Sequence, residues 1–127
     1  MIMQKNMKSR MDRRVIDWIA QGVSRVFVFA NNYYSWAIGL RAKIDTGADR
    51  CSIDEALAEA LGLEQIDEVK VRSANGLVKR PVYAATIKFE REVYEITMTG
   101  SDRNNLECPM LIGRDLLMEI CLEDEEE

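Results

Sequence analysis

A strand pattern that runs straight into Asp45-Thr46-Gly47 constrains this chain more than any other stretch. Residues 38–44, IGLRAKI, carry an apolar or small side chain at every second position, as in a strand with one buried face. Asp45 therefore stands where a strand ends. An aspartate at such a place is either an ordinary turn residue or a carboxylate positioned for catalysis, and the pattern alone leaves both readings open.

The rest of the sequence predicts an all-β, mostly antiparallel fold with two short helices. Ser52 and Glu55 have the spacing of a capping box, which predicts a helix over residues 53–61 that Gly62 ends. Asn75-Gly76 predicts a tight hairpin turn. The other predicted segments are an early helix over 13–23, strands over 26–29, 33–44, 69–71, 77–89, 94–98 and 110–112, turns at Asn31-Asn32 and 90–92, and a second short helix over 114–120.

The residue types exclude several chemistries. The chain has 127 residues, enough for one domain, and 0 His, which removes His-based triads and most zinc sites. Its 7 Gly form neither GxGxxG nor a phosphate-binding loop. With 3 scattered Cys and no His, we expect no metal and no other cofactor. Carboxylate chemistry, cysteine chemistry or no catalytic chemistry remains.

The net charge and the cysteines indicate which partners and which cellular compartment to expect. A net charge of −5 gives no reason to expect nucleic acid. An odd number of cysteines without paired spacing favours reduced thiols and a cytoplasmic location. No clean apolar run suits a secretory signal or a membrane-spanning helix, so no membrane partner is expected. We divide the chain into an N-terminal extension with a basic start (1–35), one main domain (36–122) and an acidic tail (123–127).

Further motifs follow Asp45-Thr46-Gly47 along the chain. The stretches AKIDTGAD, RSANGLVKRPV and CPMLIGRDLL resemble the retropepsin-like aspartic proteases, over about residues 40–119. The similarity is greatest to the small prokaryotic branch labelled ATP-dependent zinc protease and associated with ATP-grasp glutamate ligases. This resemblance implies a closed β-barrel of the acid-protease half-barrel type for the main domain. It also implies a functional link to an ATP-grasp ligase, with glutamate-modified peptides as substrates.

A single copy of the motif has a consequence for assembly. An aspartic protease needs two carboxylates close enough to share one proton, because like charges at that range cannot both ionise cheaply. The chain has one Asp-Thr-Gly, so the second Asp45 has to come from a second chain across a two-fold axis. The sequence therefore predicts a homodimeric aspartic-type endopeptidase that activates water to hydrolyse a peptide or protein substrate.

The resemblance also assigns roles around the catalytic carboxylate. Thr46 would bond to the opposite chain, Gly47 would let the substrate backbone approach, and Ala48 would support the substrate site. Asp49 and Arg114 would form an ion pair that braces it. The predicted flap, a hairpin tip that covers the substrate, comprises Ser73, Ala74, Asn75, Gly76 and Leu77.

Two other functions stay open. The chain could be a catalytically silent retropepsin-like module that binds a partner peptide. A metal-dependent hydrolase using Asp45, Asp49 and Asp115 would instead be sensitive to chelators. Single residues have plainer readings too: Asn75-Gly76 as an ordinary surface hairpin, Asp115 as a helix-capping or solvent-facing residue, and Cys51 as a small buried side chain.

Overall fold

The computed structural model of the chain describes residues 13–30, 33–103 and 106–126, so the predicted turn at Asn31-Asn32 lies outside the described residues. The described residues form short helices and seven strands. In chain order these are α1 Arg13–Gln21, β1 Val23–Ala30, β2 Tyr33–Ile44, β3 Ser52–Asp54, α2 Glu55–Ala60, β4 Glu64–Ser73, β5 Gly76–Phe89, β6 Glu92–Ser101, β7 Met110–Ile112 and α3 Arg114–Glu126.

Six of these strands close into a barrel. Neighbouring strands follow the order β1-β2-β7-β3-β6-β5, and β5 returns to β1 where residues 87–89 pair with residues 26–28. Most neighbours are antiparallel, whereas β2–β7 and β3–β6 are parallel. The mostly antiparallel, closed β-barrel with a few short helices that the sequence predicts is confirmed.

Alternate residues of the barrel strands fill its interior. Val26 and Val28 of β1 are fully buried, as are Ile87 and Phe89 of β5, because successive side chains of a strand point to opposite faces. Trp18 of α1 packs against Phe89 with ring centroids 4.6 Å apart. The early helix therefore covers the barrel core at this point.

The β4–β5 hairpin extends away from the barrel. Among the described residues β4 pairs with β5 alone, in a register that ends at Ser73 opposite Gly76. Gly76 has a φ of +103°, a conformation that residues with a side chain rarely adopt. The predicted hairpin is therefore confirmed, with its turn one residue earlier than Asn75-Gly76: Ala74 and Asn75 form the turn, and Gly76 begins β5 opposite Ser73.

Helix α2 begins later than the sequence predicts. Ser52 lies in β3, which pairs with β6 and β7, and α2 begins at Glu55. The N-cap is Asp54, whose carboxylate accepts the N–H of Leu57 at 3.2 Å. The capping-box prediction was wrong because Ile53 is fully buried between two neighbouring strands, and this pairing overrides the local helix signal.

The two domain boundaries predicted from the sequence, at residues 35 and 122, fall within a strand and a helix of this fold, β2 and α3. Strand β1 lies within residues 1–35, yet it pairs with β2 and β5 as part of the barrel. Helix α3 continues to Glu126, through most of residues 123–127. The division at residues 35 and 122 stays a prediction.

Candidate active site

Asp45 lies at the end of β2, where β7 fixes its position. Residues 42–44 pair in parallel with residues 110–112, and the Asp45 N–H donates to the carbonyl oxygen of Ile112 at 2.9 Å. The side chain of Asp45 is half-buried. A carboxylate held on a paired strand end, rather than on a free loop, has little freedom to move.

The turn after Asp45 leaves part of its carboxylate unoccupied. The Gly47 N–H donates to Oδ1 at 2.9 Å, and the Ala48 N–H donates to the Asp45 carbonyl oxygen at 3.2 Å. No described residue donates to Oδ2 of Asp45. Thr46 and Gly47 are exposed, and a Cβ on Gly47 would lie 3.2 Å from Oδ1. The turn therefore holds one carboxylate oxygen and leaves the other accessible.

The start of α3 is hydrogen-bonded to the chain that follows this turn. The Arg114 N–H donates to the Ala48 carbonyl oxygen at 2.8 Å, and the next N–H donates to the Asp49 carbonyl oxygen at 3.3 Å. Arg114 and Asp49 also form an ion pair, as the resemblance implied. Both side chains are exposed, where an ion pair contributes at most about 1 kcal/mol, so its effect is mainly to set geometry.

Asp115 has a role that the sequence did not reveal. Its carboxylate accepts the N–H of Cys51 at 3.1 and 3.2 Å, the Cys51 thiol at 3.2 Å and the Leu116 N–H at 2.8 Å. The contact with Cys51 joins residues that lie 64 positions apart, and no local pattern announces it. Asp115 therefore ties the loop after Asp45 to α3.

Gly113 brings the chain just before α3 into close contact with the backbone of the loop after Asp45. A Cβ on Gly113 would lie 2.6 Å from both the carbonyl carbon and oxygen of Arg50. No side chain fits between the two backbones. Glycine at this position is therefore a packing requirement, which the sequence showed only as a break after β7.

The predicted flap residues form the exposed tip of the β4–β5 hairpin. The Ser73 hydroxyl accepts the Asn75 N–H at 3.2 Å and donates to the Gly76 carbonyl oxygen at 3.0 Å. Ala74 and Leu77 are exposed. No hydrogen bond connects this tip with the Asp45 turn among the described residues. The flap role of the hairpin stays a prediction.

The carboxylates near the turn have separate partners. Asp49 pairs with Arg114 and Asp115 accepts from Cys51, so neither is free to join Asp45 in one ligand set. In the part of the chain that the structure describes, no group of three or more Cys, Asp or Glu could hold a metal ion.

Burial and the neighbouring Asp115 carboxylate raise the pKa of the Cys51 thiol from 9.0 to about 12. The native chain then keeps a proton that the unfolded chain loses above about pH 9. Stability should fall as the pH rises from about 9 toward 12, and should not respond to this group below pH 9. Urea unfolding across pH 7 to about 11 would test this in wild type and Cys51→Ala.

We expect the free energy of unfolding to fall less above about pH 9 in Cys51→Ala than in wild type. Burial also raises the pKa of Tyr83, helped by Glu55 and Glu59, but that group is present in both proteins and its contribution cancels in the comparison. If the free energy of unfolding fell equally with pH in wild type and Cys51→Ala, this result would contradict the buried thiol–carboxylate contact.

The closed barrel and the Asp-Thr-Gly turn at a strand end, bonded to α3 through its backbone, are features of an aspartic-protease type of fold. The aspartyl protease family matches residues 38–116, which is more than half of the chain, and the chain belongs to this family. No curated protein matches it. In the described residues, no helix has the length and apolar character needed to cross a bilayer.

Solved structures share the fold at low sequence identity. A Legionella pneumophila protein of unknown function is 22% identical, with a TM-score of 0.54 over 78% of this chain and 85% of that chain. EIAV protease in complex with the inhibitor HBY-793 is 21% identical, with a TM-score of 0.56 over 77% of this chain and 86% of that protease chain. A retropepsin-like aspartic protease from Rickettsia conorii is 23% identical, with a TM-score of 0.53 over 76% and 69%. The fold is therefore retropepsin-like.

Proposed function

We propose that the chain is an aspartic-type endopeptidase that works as a homodimer. The observation that carries this proposal is the state of Asp45: its Oδ1 is held by the Gly47 N–H, and no described residue bonds to its Oδ2. A lone carboxylate cannot provide both the base and the acid of the reaction. A second copy of the turn supplies the missing group, and the family match to residues 38–116 supports that reading.

In the proposed reaction, two Asp45 carboxylates share one proton across the two-fold axis. The ionised carboxylate takes a proton from water, and the protonated one polarises the scissile carbonyl. Exposed Thr46 of each subunit bonds to the other chain and fixes the distance between the two turns. Water attacks directly, so no covalent intermediate forms between enzyme and substrate.

The β4–β5 hairpin would close over the bound peptide. Its two faces differ: Val69, Val71 and Val78 are half-buried on one face, whereas Lys70 and Lys79 are exposed on the other. The first face is apolar apart from Arg80 and suits contact with substrate side chains, and closing it excludes water from the reaction. Half-buried Ser73 and exposed Ala74, Asn75, Gly76 and Leu77 would then lie over the scissile bond as a flap.

We propose further that the substrates are glutamate-modified peptides or tails made by an ATP-grasp ligase, and that the protein acts in the cytoplasm. Arg80 on the half-buried hairpin face and exposed Arg50 supply positive charge for such a substrate. The three cysteines are all free thiols, which suits a reducing compartment. Peptides with and without added glutamates, otherwise identical, would test the preference by their relative kcat/KM.

The direct test is to incubate wild type with a peptide library and to identify products by mass spectrometry, while sedimentation measures the association of subunits. New termini inside the peptides, formed by a dimer, are expected. A silent binding module remains the second candidate, because no activity follows from a fold alone. Peptide binding without cleavage, unchanged by Asp45→Asn, would favour the module.

A further inference from the structure

A groove of about 400 Å³ lies between strand β6 and helix α3. On the strand side it is lined by three consecutive residues, although successive side chains of a strand point to opposite faces. The groove therefore runs along the edge of β6 and not over one face of the sheet. Its lining consists of Glu95, Ile96 and Thr97 of β6 and of Asp115, Leu116 and Glu119 of α3.

The edge of β6 that borders this groove has no neighbouring strand. Strand β5 pairs with β6 over residues 92–99 and covers one edge. On the other edge, in the described part of the chain, β3 pairs with β6 only at residues 99–101. Residues 92–98 are therefore open on the side that faces α3.

Backbone groups of β6 point into the groove at alternate residues. The Thr99 N–H donates to the carbonyl oxygen of Cys51 at 3.1 Å, so the backbone groups of Thr99 point away from β5. Hydrogen-bonded and non-hydrogen-bonded pairs alternate along the antiparallel β5–β6 ladder, so the N–H and C=O groups of Thr97 and Glu95 point the same way. No described strand pairs with these groups, and they are the donors and acceptors that an added strand uses.

Negative charge surrounds the same backbone groups. Glu95 and Glu119 are exposed, and neither forms an ion pair with a described residue. Lys88 lies diagonally across the β5–β6 ladder from Glu95 but is not paired with it. Asp115 lies one turn before Glu119 on the same side of α3 and adds a third carboxylate. The groove therefore favours a positively charged occupant.

We propose that the groove between β6 and α3 binds an extended, positively charged peptide segment of a partner protein, which adds to β6 as a further strand. Backbone hydrogen bonds to Glu95 and Thr97 hold the segment in an extended form. The side chains of Glu95 and Ile96 point to opposite faces of β6, so a segment of alternating cationic and apolar residues matches both. Its apolar residues contact Ile96 and Leu116, and its lysines or arginines pair with Glu95 and Glu119.

The backbone groups distinguish a peptide from a small cation as the occupant. A polyamine would pair with the carboxylates but would leave the N–H and C=O groups of Glu95 and Thr97 without partners. An extended peptide carries complementary backbone groups at the spacing of a strand, together with the charge. The volume of the groove also lies within the roughly 300–1,000 Å³ of pockets that hold ligands.

Fluorescence anisotropy with two short labelled peptides tests the proposal on the full chain. One peptide alternates lysine and valine, and the other alternates glutamate and valine. Only the lysine peptide should bind. Glu95→Gln and Glu119→Gln should each weaken its binding about two- to fivefold, which is the effect of an exposed ion pair. Glu59→Gln is the matched control, because Glu59 is exposed on α2 outside the groove, and it should bind as wild type does.

A lysine peptide with a methylated backbone separates strand addition from simple attraction between charges. Methyl groups on its backbone nitrogens remove the N–H donors and keep the charge, so binding should weaken about tenfold or more. Bound lysine peptide should also slow the hydrogen exchange of the β6 edge amides, those of Glu95 and Thr97, because pairing protects edge N–H groups. The readout is binding and the variants lie outside the Asp45 turn, so the result does not depend on cleavage.

Three results would overturn the proposal. Equal binding of the plain and the methylated lysine peptide would show attraction between charges without strand addition. Wild-type affinity in both Glu95→Gln and Glu119→Gln would place the peptide elsewhere on the protein. No binding of the lysine peptide, the result expected if another part of the chain fills the groove, would exclude a partner segment.

Discussion

Asp45→Asn is expected to lower peptide turnover by about a thousandfold or more while the fold and subunit association persist. An amide cannot take a proton from water at neutral pH, nor can two amides share one proton as two carboxyl groups do. The substitution should be well tolerated structurally, because the asparagine side-chain oxygen can still accept the Gly47 N–H that Oδ1 accepts at 2.9 Å. The measurement is kcat for a cleaved peptide, with sedimentation and thermal unfolding of the same samples.

Asp17→Asn is the matched control for this change. Asp17 is exposed on α1 and, among the described residues, no hydrogen bond joins it to the Asp45 turn, so the same loss of one negative charge should leave turnover unchanged. Full activity in Asp45→Asn would contradict the catalytic role. A variant that loses activity only because it unfolds would be recognised by its thermal transition.

Gly113→Ala is expected to destabilise the protein by about 2–4 kcal/mol and to reduce activity. The new Cβ would lie 2.6 Å from the backbone carbon and oxygen of Arg50, a contact that neither backbone can absorb without moving. The movement would separate α3 from the loop after Asp45 and weaken the hydrogen bonds that the Asp115 carboxylate accepts from Cys51. Urea unfolding of both proteins measures the free-energy difference.

Gly39→Ala is the matched glycine substitution in the same barrel. Its Cβ would lie 3.2 Å from the ring of Phe27, an exposed side chain that can turn aside, so the free energy of unfolding should change by less than about 1 kcal/mol. Equal losses in Gly39→Ala and Gly113→Ala would show that the close approach to Arg50 has no special cost.

Local signals predicted much of this fold correctly. Alternation along residues 38–44 gave β2 and the strand-end position of Asp45, and Asn75-Gly76 gave the hairpin, although its turn lies one residue earlier. Gly62, with a φ of +70°, follows α2 as predicted. These features depend on residues that are close in sequence, where periodicity and turn geometry act directly.

The features that the sequence did not show depend on distant partners. Ser52 belongs to a strand because β6 and β7 pair with it, although its own neighbourhood favours a helix cap. Asp115 reads locally as a residue at the start of a helix, and only the fold brings it to Cys51. Contacts of this kind are set by the path of the whole chain, which the pattern around one residue does not contain.

The most direct measurement of the central claim mixes wild type with Asp45→Asn subunits and follows peptide turnover per wild-type subunit. If each active site takes one Asp45 from each of two chains, a mixed dimer has one carboxylate and is inactive. Turnover per wild-type subunit should then fall in proportion to the wild-type fraction and approach zero in a large excess of the variant. A rate per wild-type subunit that stays constant across the series would contradict a shared site.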